Sequence, residues 1–487
     1  MVEPVRIRVS NRDYLSDINT VFAITLIFAL VGLIWGAIFA FRGNLLLGCV
    51  GVLIATSVFG SYFLNFDVAG ITLTLDRLAL VGLVAAFVVQ WKLDKLEVRP
   101  LCMVDWVIGG FFAVMIVNAF THDWRSAMPD QVPVVQHIIN GYLIPLTIYI
   151  IARNLRYTEK NTTWFLIGMT VFGLYLAVIG IFEGTGQYGL VFPRYIADPE
   201  LGLHFSRARG PMVHSVSYGV YLTGCLLCAW LLRDRVSPNW RTVITILLPA
   251  FLAAIYFTKT RTVWLGAGGS LMLAFSLTLQ GRTRKLVIGS MLAVGLCVGV
   301  AKMDSIMGLQ REGTVQDTRK SVSMRASFTY VSWQMFLDSP ITGHGFGQFK
   351  TEKMSYLSDR NVDLLLESIR TYDHHNTFLS ILTELGLLGL IPFLLIYLLW
   401  AKTGVSLQRN KEAPQWAKNL SVLSLGMLFI ACCQMIGHEI TYTPIDHLLI
   451  FMTAGICVAL RQQFSESCNA VTCEPHRFSA AQTALST

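Results

Sequence analysis

Thirteen long stretches of this chain are almost free of charge: near 20–41, 44–64, 71–91, 101–120, 132–152, 163–183, 212–232, 240–257, 262–280, 285–302, 376–400, 418–437 and 442–460. A helix crossing the hydrocarbon core of a bilayer needs about 20 predominantly apolar residues. Inside lipid, each backbone polar group must find its partner within the protein. These runs therefore predict an all-α polytopic membrane protein of about 12–13 transmembrane helices. Only 14% of the residues are charged, against about 25% in soluble domains. The net charge of +8 carries no expectation of nucleic acid, because the basic residues fall between apolar runs. The ten cysteines avoid the loops expected outside, so no extracytoplasmic disulfide framework is implied.

The connections alternate in basic content. One set holds Lys92, Lys95 and Arg99; Arg153, Arg156 and Lys160; Arg233, Arg235 and Arg241; Arg282, Arg284 and Lys285; and Lys402, Arg409, Lys411 and Lys418. By the positive-inside rule this set is cytoplasmic. Thirteen spans place the N-terminus outside; Arg6, Arg8 and Arg12 favour the inside, which twelve spans would give. Either way 184–211, 258–261, 303–374 and 438–441 share the outer side. The expected organisation is N-terminal helices over 1–302, one large extracytoplasmic loop over 303–374, C-terminal helices over 375–460 and a cytoplasmic tail over 461–487. Loops as long as the second of these are uncommon unless functional.

The outer segments gather titratable and cationic side chains. Arg207 and Arg209 end the first, with His214 just beyond; Arg261 opens the next span; Arg325 lies in the large loop. That loop closes on Asp373-His374-His375-Asn376, followed by Gly386 and Gly389. Counted as a helix at about 100° per residue, both glycines fall within roughly 40° of His375, a bare face on which another helix could pack. His375 is the expected base, since a neutral imidazole near pH 7 can take a proton from an attacking hydroxyl. His374 is its neighbour, and chemistry alone does not separate the two. Arginine forks suit a diphosphate at headgroup level. For each arginine taken singly, a side chain snorkelling to lipid phosphate is an equal reading.

Within the loop, Met324, Phe328, Val331 and Met335 recur at helical spacing, so 320–337 is expected to form an amphipathic helix roofing the site. The glycines of 343–347 signal a turn rather than a dinucleotide fingerprint. Glu384, inside its span, points away from His375 on helical counting; an intramembrane carboxylate invites a functional reading, and a structural partner in another helix is at least an equal one. Asp76-Arg77 and Asp446-His447 are further ionisable pairs at or inside span edges. His438-Glu439 lacks the second histidine of a zinc helix, and the tail residues Cys468, Cys473 and His476 are loosely spaced, so no metal is expected.

His375-Asn376, nine residues, Gly386, two residues and Gly389 resembles the signature of the O-antigen ligase-like family of bacterial membrane proteins. Arg209-Gly210 with His214, Arg261 at the head of a span, and Pro340 through Gly347 are similar to that family as well. The resemblance implies about twelve transmembrane helices with a large periplasmic loop before the histidine helix. It implies a glycosyltransferase of the bacterial inner membrane, without cofactor, moving or polymerising an undecaprenyl diphosphate-linked glycan. The implied acceptor is a hydroxyl of another glycan, of lipid A-core or of a protein, and a flippase or chain-length regulator would be a further partner. Arg209 and Arg261 would grip the diphosphate, with Arg207, Arg325, His214 and Asn376 lining the site and Gly386, Gly389 and Glu384 shaping it. The competing class is a solute or anion transporter. Against it stand the absence of an internal repeat and the gathering of polar groups at one face rather than the midplane.

Overall fold

A computed structural model describes residues 36–63, 65–68, 71–122, 132–202, 204–301, 315–442 and 444–472. The N-terminal arginines, most of the run 20–41, the start of the large loop, Cys473 and His476 lie outside the described residues. Residues 36–42 are helical. After them come α1 (Leu45–Val58), a hairpin of β1 (Asn65–Val68) and β2 (Ile71–Thr74), α2 (Leu75–Lys92), α3 (Met103–Thr121) and α4 (Val134–Asn154), whose turn Ile139–Leu143 is π-helical. Next are α5 (Glu159–Gly184), α6 (Ser215–Leu232), α7 (Pro238–Phe257), α8 (Arg261–Thr278), α9 (Gly281–Ala301) and α10 (Val315–Asp338). The last three are α11 (Thr377–Arg409), α12 (Gln415–Gly437) and α13 (Pro444–Thr472).

Among the described residues, helices occupy most of the apolar runs from 44 onward, and eight are long and apolar enough to cross a membrane: α3 to α7 and α11 to α13. α1 has only 14 residues, and α2 carries Asp76 and Arg77 in its first turn and Lys92 in its last. The run 71–91 divides, because Ile71–Thr74 pairs with Asn65–Val68 in antiparallel register before the helix begins.

The centre of the bundle is α6, buried along nearly its whole length. α5 packs against α6 and α7, α8 against α12, α4 against α13, and α11 against both α3 and α12. Small residues permit the closest approaches. A Cβ on Gly219 would lie 2.3 Å from Val263, and one on Gly266 2.6 Å from Ile430.

The two ends of the bundle differ. One is anchored by basic residues: Arg153 pairs with Asp105 at 2.9 Å, Arg99 donates to the carbonyls of Ala459 and Leu155, and Arg235 donates to Trp416 O at 2.7 Å. At the other end, the segment from 324 to 369 folds over the helices with a small core of its own. Phe328, Val331 and Met335 of α10 bury against Phe349, Leu357, Leu366 and Ile369, which is the stripe expected from helical spacing.

Candidate functional site

The site is organised by a broken helix. Asn376 caps α11: its Oδ1 accepts from the Leu379 N–H at 3.0 Å, and its Nδ2 donates to Ile436 O at 2.9 Å. Nine residues into the helix, Gly386 adopts φ 61° and ψ −158°, which interrupts the ladder. The segment 340–345 fills the gap with backbone. Leu387 N–H donates to Pro340 O and Leu388 N–H to Ile341 O, at 2.9 and 3.1 Å. In return His344 and Gly345 donate to Thr383 O and Glu384 O, at 2.9 and 3.0 Å. Non-helical backbone at this depth is tolerated because protein satisfies it.

This corrects the helical counting from His375. The histidine precedes the helix, and the break at Gly386 shifts everything beyond it. No second helix meets the bare face there; a Cβ on Gly386 would instead lie 2.4 Å from Ile341 O. Gly389 relieves crowding within its own helix, where a Cβ would meet Leu385 at 2.2 Å.

Glu384 is buried beneath this joint. Its Oε1 accepts from the Tyr442 hydroxyl at 3.0 Å and from the Phe349 N–H at 3.4 Å, so its partners come from the large loop and the turn before α13 rather than from another spanning helix. Replacing Glu384 with Ala would strand the buried Phe349 amide, at about 1–3 kcal/mol, and leave the Tyr442 hydroxyl only Ser380 Oγ at 3.3 Å. A fall of several degrees in the melting temperature of the detergent-solubilised protein is expected. An unchanged melt would remove Glu384 from this role.

Glu439, considered in the sequence only for metal, is a second buried carboxylate nearby. Burial raises its pKa, partly offset by hydrogen bonds from Thr441. It accepts from Thr441 N–H at 2.8 Å, while Thr377 Oγ1 donates to His438 O at 3.0 Å and thereby ties the start of α11 to the same turn.

The two histidines have opposite surroundings. His374 is buried and lies on Phe349, ring centroids 3.4 Å apart. Its Nε2 is 2.9 Å from Thr383 Oγ1. That hydroxyl spends its own hydrogen on Leu379 O or Ser380 O, so the imidazole is the donor. Burial first, then the charges of Lys353 and His375, hold the His374 pKa well below the ordinary value, and the ring is neutral. His375 is half-buried and stacks on Phe328 of α10 at 5.0 Å, with Tyr372 edge-on at 6.1 Å. The amphipathic helix therefore does roof this histidine. Its Nδ1 is 3.0 Å from Asp373 O, a group that only accepts. The neutral ring accordingly carries its proton on Nδ1 and presents the Nε2 lone pair.

Lys353, invisible in the sequence as a site residue, supports the approach to this pair. Its buried ammonium donates to Ile369 O at 2.8 Å and to Tyr372 O, and burial pushes its pKa down to about 8 against the pull of Asp373.

The arginines divide in the same way. Arg209 is fully buried. Its fork donates to Leu201 O, Ile196 O and Asp198 O, and the guanidinium sits 4.9 Å over Phe205. The backbone N–H groups of Arg209 and Gly210 donate to the Glu183 carboxylate. Arg209 thus knits together the 184–211 loop through its two terminal nitrogens, while its buried Nε has no partner among the described residues. Arg207 is half-buried, with its N–H on His204 O. His214 caps α6, its Nδ1 2.7 Å from Ser217 Oγ.

Arg261 is different. It is exposed in the first turn of α8 and makes no hydrogen bond or ion pair among the described residues. Arg325 is also exposed, one turn before Phe328 on α10.

Contacts place all these residues at one end of the bundle. Thr262 Oγ1 donates to Gln434 Oε1 at 2.7 Å, and Asn376 and Thr377 bond to Ile436 O and His438 O, so Arg261 and His375 flank the same terminus of α12. Thr260 reaches Ser215 beside His214 at 3.3 Å, and Ala208 N–H donates to Phe257 O at 2.9 Å. His447, at the start of α13, is buried with Nδ1 2.9 Å from Gly141 O.

Residues 244–394 match the family model described as O-Antigen ligase. The match supports kinship with the O-antigen ligase-like family over this stretch. The matched region opens in α7 and closes just past Gly389, and so includes Arg261, Arg325, His375 and the broken helix. No curated protein matches the chain. The match and the apolar helices together support a multi-pass membrane protein of the O-antigen ligase or polymerase type, acting in glycan transfer.

Proposed function

We propose that this O-antigen ligase-like protein works at the periplasmic face of a bacterial inner membrane, on a glycan carried by undecaprenyl diphosphate. An acceptor hydroxyl attacks the anomeric carbon. The new glycosidic C–O bond forms as the bond from that carbon to the diphosphate oxygen breaks, and the diphosphate leaves with the electron pair. His375 Nε2 takes the hydroxyl proton. Single displacement inverts the anomeric centre. Arg261, at the positive end of α8, and Arg325, on the roofing helix, meet the leaving charge. Arg209 holds the neighbouring loop in shape.

The observation that carries this reading is the fixed ring of His375. Its Nδ1–H is bound to Asp373 O, and its basic nitrogen is left for substrate at the same helix terminus as an exposed arginine. A broken helix is also a transporter feature. Here the break is filled by the protein's own loop, which favours transfer over transport.

The test is incubation of reconstituted protein with polyprenyl diphosphate-linked repeat units. A ladder of products indicates a polymerase, for which the two sizeable outer loops speak; single addition indicates a ligase, with lipid A-core or protein as acceptor. Arg261→Gln is expected to slow transfer about 10²–10³-fold, the usual cost of removing one donor to developing charge. Arg261→Lys is expected to recover part of it, since a point charge only partly replaces a fork. Wild-type rates in both variants would exclude the diphosphate contact.

A further inference from the structure

A cavity of about 240 Å³ lies at the same end of the bundle, between the end of α1, the start of α2, the π-helical turn of α4 and the start of α13. It shares no lining residue with the His375 cluster. His137, on the same helix as the lining residues Gln136 and Asn140, turns instead to Tyr442, with ring centroids 4.3 Å apart. Two wall residues, Pro211 and Met212, directly follow Arg209-Gly210, so the loop that Arg209 organises forms part of this cavity.

The lining is strongly polar for a membrane bundle. Thr74 is 4% exposed, and among the described residues neither its hydroxyl nor the buried Asp76 Oδ1 has a hydrogen-bond partner. Arg77 adds the opposite charge beside Asp76. Gln136 and Asn140, four residues apart on α4, bring two amides to one face. Tyr62, exposed, forms the rim, with its ring 6.0 Å from that of Tyr195. The Tyr195 hydroxyl is 2.7 Å from Pro211 O, which sets that wall.

Size and chemistry narrow the occupant. Drug-sized ligands fill about 300–1,000 Å³, so this space suits one small ring rather than a chain. A phosphate would meet the Asp76 carboxylate. An apolar group would leave Thr74 and Asp76 unpaired. A ring bearing several hydroxyls, each donor and acceptor at once, answers a carboxylate, a guanidinium, two amides and a hydroxyl, with an aromatic rim for its C–H face. We propose that this cavity holds one neutral sugar residue of the glycan, as a specificity subsite separate from the place of bond exchange. The assignment rests on the glycan-transfer reading above. The sugar could belong to the donor or to the acceptor.

The experiment uses full-length protein in nanodiscs, with donor and acceptor varied separately. It adds saturation-transfer NMR with the phosphate-free glycan released from the donor by mild acid. Asp76→Ala, Thr74→Val and Gln136→Ala are compared with wild type; Gln136 is exposed, so its variant stays readable if the others fail to accumulate. The expected result is a KM raised about tenfold for one substrate, with kcat nearly unchanged and a weakened glycan signal. Whichever KM moves names the source of the sugar. Unchanged KM for both substrates in a protein that still transfers glycan would overturn the subsite alone. So would complete displacement of the glycan signal by inorganic pyrophosphate, which would mark an anion site. Failure of the wild type to transfer at all would instead count against the proposed function.

Discussion

Replacing His375 with Ala is expected to cut glycan transfer about 10²–10⁴-fold, the range for loss of a positioned general base, without altering the melting temperature measurably. The ring is half-buried, and its one hydrogen bond is to the carbonyl of a residue two positions away, so little folding energy depends on it. His374→Ala should do the reverse. It empties the space over Phe349 and removes the donor to Thr383 Oγ1, at a cost of about 3 kcal/mol, typical of large-to-small changes in a core. The pair also separates by pH. The folded state holds His374 neutral with a depressed pKa, while the unfolded chain protonates it near its ordinary value of 6.5. The unfolded state therefore binds the extra proton first as pH falls. The stabilisation is complete above that value and is lost below it. Thermal melts from pH 7 to 5 should fall more steeply for wild type than for His374→Phe, which keeps the stack but cannot titrate. Full transfer by folded His375→Ala protein would remove the proposed base.

Gly386→Ala is expected to be the most damaging small substitution for the fold. Its φ and ψ lie in a region essentially restricted to glycine, at about 1–3 kcal/mol for any other residue. The added carbon would also sit 2.4 Å from Ile341 O, which is backbone and cannot turn aside. Relief would require withdrawing the 340–345 segment and breaking its hydrogen bonds to Thr383, Glu384, Leu387 and Leu388. The sum is on the order of 5 kcal/mol, comparable to the whole stability of many proteins. Little folded protein should accumulate, and the remainder should be cleaved by protease within 340–345. Gly343→Ala meets the same obstacle from the other side, 2.4 Å from the Glu384 carbonyl. Gly268→Ala, in open space on α8, is the control and should be neutral or slightly stabilising. Accumulation of Gly386→Ala protein with a wild-type melt would show that the joint is not needed.

Much of the architecture was legible because a bilayer imposes a local rule: length and apolarity are counted along the chain, residue by residue. The exceptions are also local in origin. In Ile71-Thr72-Leu73-Thr74, apolar and polar residues alternate and three of the four are β-branched, a strand pattern hidden at the head of an apolar run. The site was legible in part. The His-Asn-Gly-Gly spacing marks the stretch that holds the broken helix, but the space over Gly386 is filled by the 340–345 segment and not by another helix. Lys353 and Glu439 carried no local signal, since a charged residue becomes conspicuous only once its burial is known.

From the sequence alone came the class of protein, the positions of most helices, the amphipathic helix of the large loop and the family signature. All of these depend on neighbours within a few turns. The tertiary structure decided which histidine is buried and which nitrogen of the other is basic. It decided that the Arg209 fork is occupied while Arg261 is open, and that the break at Gly386 receives a loop instead of a helix. Each of these turns on a hydrogen-bond partner or a burying surface supplied by another element. Side chains of one type differ only in what the folded chain brings beside them.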